Sequence, residues 1–387
     1  MDLSFILNQL GENREEYYNA VSPPIFQSSN FAFPSVAVMR ENLKRELEVP
    51  FYTRGYNPTV AMLRKKIAAL EGAEDALVFA SGSGAIAAAV MSSVKAGDHV
   101  VCVRKPYSWT NALLSKYLAK YGVETSFVDG EDPENYRHAI KPNTRMFYVE
   151  SPNSLTFELQ DIAAICAIAH EKNITVIADN SYNSPLNQSP LALGADLVVH
   201  SATKYLNGHS DVVSGVVCGS KERIMKMMAE EFMTIGAIIS PHDAWLLMRG
   251  LRTLELRLNR SADSAMRIVD FLEKHPKTEQ VLYPFSAKNP QLGLARKQMK
   301  QGGGLLTVEL RVENEAAVER FCDSLQRFLI ATSWGGHESL VFPLCAVAAA
   351  KSFEGKTNLP WKMVRLYIGL EDPEVLIDDL RQALEKI

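Results

Sequence analysis

Lys204 stands in the run Ser201-Ala202-Thr203-Lys204-Tyr205-Leu206-Asn207-Gly208-His209-Ser210-Asp211, 25 positions after Asp179. The apolar stretch Ala195-Asp196-Leu197-Val198-Val199-His200 leads into it. A strand there would fix the root of the lysine and burial would lower its amine pKa, two conditions for holding an aldehyde cofactor as a Schiff base. Ser201 and Thr203 add short hydroxyl donors suited to phosphate oxygens. Asp179 ends a second apolar stretch, Ile174-Thr175-Val176-Ile177-Ala178, where a carboxylate can keep a pyridinium nitrogen protonated. A charged ring of that kind is an electron sink, so the pattern points to pyridoxal phosphate.

Two further segments fit an anionic cofactor and an amino-acid substrate. Phe79-Ala80-Ser81-Gly82-Ser83-Gly84 puts small residues between an apolar strand and an Ala-rich helix, so backbone amides at the helix start can approach an anion. Alone, a Gly-x-Gly is equally a device for close helix packing. Arg365, in Val364-Arg365-Leu366-Tyr367-Ile368-Gly369-Leu370-Glu371-Asp372, lies on an apolar strand, where a guanidinium is costly unless paired. A substrate carboxylate is a planar bidentate partner, and a structural pair with Glu371 or Asp372 is the other reading.

The run through Asp211 resembles the lysine motif of the Cys/Met metabolism family of pyridoxal phosphate enzymes, over nearly the whole chain. The resemblance implies fold type I, an aspartate aminotransferase-like α/β transferase fold with a mostly parallel seven-stranded sheet and a smaller α/β C-terminal domain. It assigns cofactor-phosphate contacts to the amides of Gly82 and Ser83, the latter where the family has methionine. Tyr52 and Arg54, in Phe51-Tyr52-Thr53-Arg54-Gly55-Tyr56-Asn57-Pro58-Thr59, match a segment that reaches a neighbouring subunit's phosphate, which implies a homodimer or homotetramer. Tyr107 matches the tyrosine that stacks on the ring and exchanges a proton with the leaving group. Arg365 and Ser333 match the substrate-carboxylate pocket. Ser154 takes the place of an asparagine that meets cofactor or substrate, with Asn153 one position early.

The activity implied is that of a carbon-sulfur lyase of transsulfuration, releasing a thiol from a methionine- or cystathionine-like substrate to leave a 2-oxo acid and ammonia. The alternative is gamma-replacement, as in cystathionine gamma-synthases and O-acyl-homoserine sulfhydrylases. Cystathionine-handling gamma enzymes tend to carry acids where this chain has Phe51 and Thr332, which favours an uncharged distal group. Phe51-Tyr52-Thr53-Arg54 and the stretch from Met233 to Arg249 are similar to methionine gamma-lyases. Trp109 replaces a cysteine of those enzymes, and Ser333-Trp334-Gly335-Gly336 resembles cystathionine beta-lyases.

The elements that must position these residues are legible as an alternation. Apolar strands are expected over Ala76–Ala80, His99–Val103, Glu124–Val128, Met146–Val149, Ile174–Asp179, Leu197–His200 and Val212–Cys218, with helices between them, the pattern of a sheet covered on both faces. Ser240-Pro241 reads as a cap and first turn, opening a long connecting helix. Strands over Leu305–Leu310 and Met363–Ile368 and helices over Glu315–Phe328 and Pro373–Ile387 complete a smaller domain. The expected division is an arm over 1–50 lying on a neighbouring subunit, a cofactor domain over 51–245 and a small domain over 246–387.

Composition narrows the partners. A net charge of -4 over 387 residues, with no basic run, gives no nucleic-acid surface. The five cysteines are scattered in apolar stretches, as reduced core residues would be, and His209 and His337 lack metal-ligand spacing. The start lacks a basic leader, and a cytoplasmic enzyme is expected. Ala76 to Val94 is free of charge, but Ser81-Gly82-Ser83-Gly84 breaks it into strand, loop and helix, so no membrane span is expected.

Overall fold

The computed structural model describes residues 1–348 and 359–387. Seven strands form the larger sheet: β1 (Asp75–Phe79), β2 (His99–Val103), β3 (Glu124–Val128), β4 (Thr144–Glu150), β5 (Thr175–Asp179), β6 (Leu197–His200) and β7 (Gly215–Gly219), in the order β1-β7-β6-β5-β4-β2-β3. Only β7 runs against its neighbours. Strands such as His-Val-Val-Cys-Val and Leu-Val-Val-His are buried at every position, as a sheet covered on both faces requires. The C-terminal ends of β1, β2, β4, β5 and β6 therefore share one edge, the usual place for a ligand in such a sheet.

The expected strands are present, with β7 the least well bounded. It starts at Gly215 rather than Val212 because Ser214 is held elsewhere: its N–H donates to the Thr203 hydroxyl at 3.0 Å, and its carbonyl accepts the Thr203 O–H at 3.2 Å. A second, five-stranded sheet lies C-terminal, with β8 (Thr278–Leu282), β9 (Leu305–Leu310), β10 (Leu329–Ile330), β11 (Leu340–Pro343) and β12 (Met363–Tyr367) in the order β10-β11-β12-β9-β8. All five cysteines are free and buried. Among the described residues no helix is long and apolar enough to cross a membrane.

The connecting helix expected from Ser240 is not continuous. The helix that opens at Ser240, whose hydroxyl accepts the Asp243 N–H, ends at Leu251; a second helix runs from Leu254 to Lys274. The break follows a close contact, since a Cβ on Gly250 would meet the Asn207 carbonyl oxygen at 2.1 Å. Leu254 and Leu258 belong to the core of the large sheet, whereas Ile268 and Leu272 belong to that of the small sheet. The two cores thus meet within the second helix.

The arm over 1–50 also divides. In α1 (Leu3–Asn8) Ile6 and Leu7 are buried against the chain's own core. Lys66, on α3 (Pro58–Glu71), donates to the carbonyls of Ile6 and Leu7 and pairs with Glu12 at 3.0 Å. These first residues pack on the chain's own core. By contrast α2 (Val36–Leu43) buries no residue and leaves Val36, Val38, Met39 and Leu43 exposed.

Candidate functional site

Lys204 lies just past the end of β6, and burial is the largest cause of its amine pKa falling to about 8, with the Arg365 guanidinium adding repulsion against a weaker pull from Asp179. A fraction of the amine is then already neutral near pH 7, the form in which nitrogen attacks an aldehyde or takes a proton. Its Nζ makes a short hydrogen bond with the Ser333 hydroxyl and sits 5.5 Å from the centre of the Trp334 ring. Asp179, at the end of β5, accepts the Ser181 N–H at 3.0 Å and the Tyr148 hydroxyl at 3.2 Å. Both donors fix the orientation of the carboxylate.

The small-residue turn after β1 lies against the lysine segment. Ser81 caps α4 (Gly82–Met91) by accepting the Gly84 N–H, and no preceding turn of helix offers acceptors to Gly82 and Ser83 at its open end. A Cβ on Gly82 would meet the Ser201 Cβ and Oγ at 2.9 Å, so the turn and Ser201 form one cradle. The Ser201 hydroxyl makes no hydrogen bond among the described residues, whereas Thr203 gives its proton to Ser214. Tyr107 precedes α5 (Ser108–Ala112); its hydroxyl faces Ser83, and burial raises its pKa above the usual 10. The phenol therefore stays protonated at neutral pH.

The small domain closes the other side. Arg365, in the middle of β12, donates to the Ser333 carbonyl at 3.2 Å and lies 5.0 Å from the Phe342 ring centre. Burial holds its pKa down to about 10. The structural pairing weighed for it does not occur: Glu371 accepts from the N–H and hydroxyl of Ser339, and Asp372 caps the helix Pro373–Leu384. Ser333 has φ 71, in the left-handed region that non-glycine residues avoid.

Gly335, two positions after it, has φ 91, and a Cβ there would meet the Lys204 Cα at 2.8 Å. Gly335→Ala is expected to cost about 1–3 kcal/mol of stability, measured by denaturant unfolding of the cofactor-loaded protein. Unchanged stability would contradict this packing.

Other expected residues fall differently. Tyr52 and Arg54 are exposed, with the guanidinium 5.7 Å from the Tyr52 ring centre, and neither bonds to the residues around Lys204. Asn153 is committed to its own loop, its carbonyl oxygen accepting the N–H groups of Leu155, Thr156 and Phe157. That leaves Ser154, whose N–H points to Glu150. Reasoning from sequence missed Tyr148, Glu150, Trp334 and the buried Arg257, which donates to the carbonyls of Tyr205 and Gly250 and braces the lysine loop. Tyr148 and Asp179 are 31 residues apart, and no spacing rule joins them.

These residues fit pyridoxal phosphate on chemical grounds. The set contains a neutralisable amine, an oriented carboxylate for the ring nitrogen, and amide and hydroxyl donors around a turn that admits no side chain at Gly82. The comparisons agree with that chemistry. L-methionine gamma-lyase of Treponema denticola is 40% identical over 377 residues, covering 96% of this chain and 94% of that one. Cystathionine gamma-lyase of Bacillus subtilis is 37% identical, covering 97% of each. The crystal structure of metB from Corynebacterium glutamicum superposes with a TM-score of 0.92 at 35% identity, over 100% of this chain and 98% of that one. With the model of Cys/Met metabolism PLP-dependent enzymes matching residues 6–385, the chain belongs to that family.

Proposed function

We propose that this chain is a pyridoxal phosphate-dependent carbon-sulfur lyase acting on a sulfur amino acid with an uncharged distal end, methionine before cystathionine. The observation that carries the reading is Arg365, a desolvated guanidinium with no carboxylate partner among the described residues, near enough to Lys204 to depress its pKa. An amino-acid carboxylate completes it bidentately and turns Cα toward the lysine. Lys204 Nζ then takes the α proton. Bound pyridoxal phosphate supplies the electron sink that makes this proton removable. Asp179 holds the proton on the ring nitrogen, and the Tyr107 phenol gives its proton to the departing sulfur. For methionine a Cβ proton must leave as well, to Lys204 Nζ once it has handed on the first, before the Cγ–S bond breaks; methanethiol then departs with the Tyr107 proton, and addition of water to the remaining four-carbon unit releases ammonia and 2-oxobutyrate.

The distal end decides between substrates. Phe51 packs against Phe33 with ring centres 5.1 Å apart, and Thr332 is an exposed neutral side chain. Neither offers a charge to the distal ammonium of cystathionine. Exposed Tyr52 and Arg54, beside an α2 with no buried face, support a second copy of the chain as the surface they serve. The test is to incubate cofactor-loaded protein with L-methionine and with L-cystathionine and identify the 2-oxo acid by mass spectrometry. 2-Oxobutyrate from methionine is expected. Pyruvate from cystathionine would instead mean beta-elimination, and a thioether formed only from an O-acyl-homoserine and a thiol would mean replacement.

A further inference from the structure

Glu150 ends β4 and is buried, yet no cation pairs with it among the described residues. Its Oε2 accepts the main-chain N–H of Tyr107 at 2.7 Å, reaching across 43 positions of sequence. Tyr107 has no side-chain cap of its own; its carbonyl accepts the Asn111 N–H at 3.0 Å, and its N–H goes to Glu150. In the sheet, Glu150 is the register partner of Asp179. One side chain is thus tied at once to the strand end that bears Asp179 and to the residue that bears the phenol.

We propose that Glu150 is a positioning residue: acting as a hydrogen-bond acceptor, it sets where the Tyr107 hydroxyl stands relative to Asp179, and so the span between leaving group and ring nitrogen. This rests on the roles given to Tyr107 and Asp179 above. An acceptor suffices for the task, because burial and the nearby Asp179 charge raise the carboxyl pKa and favour the neutral form of Glu150. Glutamine has the same shape and the same carbonyl acceptor. A buried N–H left without that acceptor would pull the loop toward another partner, and small displacements of a catalytic group are costly.

The experiment compares Glu150→Ala and Glu150→Gln in wild-type and Tyr107→Phe backgrounds, using the full cofactor-loaded chain. Turnover of L-methionine and L-cystathionine is read together with the visible circular dichroism of the bound pyridoxal phosphate, which needs no substrate. Glu150→Ala is expected to lower kcat about 10- to 100-fold with KM nearly unchanged, and to alter the dichroism while the band persists. Glu150→Gln should restore both. In the Tyr107→Phe background the alanine change should cost less than about threefold more, since the two act through one hydroxyl.

A glutamine variant as impaired as alanine, or full additivity in the double variant, would overturn the proposal. An alanine variant indistinguishable from wild type would do the same. Tyr107→Phe with wild-type turnover would remove the Tyr107 assignment itself, a failure visible in the single variant alone.

Discussion

Lys204→Ala is expected to lose turnover by at least about 10²- to 10⁴-fold, the range associated with a single proton-transfer group, and to lose the visible band of the lysine-bound cofactor. The two losses have one cause. Among the described residues the amine is the group with a depressed pKa, about 8, that faces both Asp179 and Arg365. Alanine leaves the Ser333 hydroxyl without its partner and the Trp334 face uncovered, but it removes no core side chain. The variant should therefore fold and still bind pyridoxal phosphate through the phosphate cradle, now without the covalent link. Absorbance after gel filtration and a single-turnover assay check both parts. Substantial activity in this variant would move the base elsewhere.

Arg365→Ala is expected to lower kcat/KM for the sulfur amino acid by about 30- to several thousand-fold, the equivalent of about 2–5 kcal/mol for truncating one side of a desolvated charge pair. Most of that should appear in KM, because the substrate carboxylate is bound in ground and transition states alike. Lysine should not rescue it, since a point charge lacks the fork that grips a carboxylate bidentately. The guanidinium lies on β12 between Phe342 and Thr307 in register, so alanine leaves a polar gap that water can fill. A loss confined to kcat, with KM unchanged, would instead assign Arg365 to the chemical step.

Much of this was legible in the sequence where local pattern decides the outcome. The limits of β2 and β6 follow from short apolar runs bounded by polar residues, and the Ser240 cap from a serine before a proline. Lys204 and Asp179 could be paired because each ends an apolar strand, and parallel neighbours bring their C-terminal ends together. What stayed hidden depends on contacts between distant segments. Nothing in the sequence marks Lys66, and only the fold shows it buried on the carbonyls of Ile6 and Leu7. The helix break at Arg252 comes two positions after Gly250, which lies close against Asn207, and the late start of β7 goes with the bonding of Ser214 to Thr203. Tyr148 and Glu150 alternate along β4 like any buried strand residues, and nothing local marks their reach to Asp179 and Tyr107.

The most direct test of the account is to reduce the cofactor-loaded protein with borohydride, digest it and map the modified peptide by mass spectrometry. The account predicts a single pyridoxyl adduct, on Lys204. An adduct on another lysine, or none in a protein that still turns over a sulfur amino acid, would contradict it.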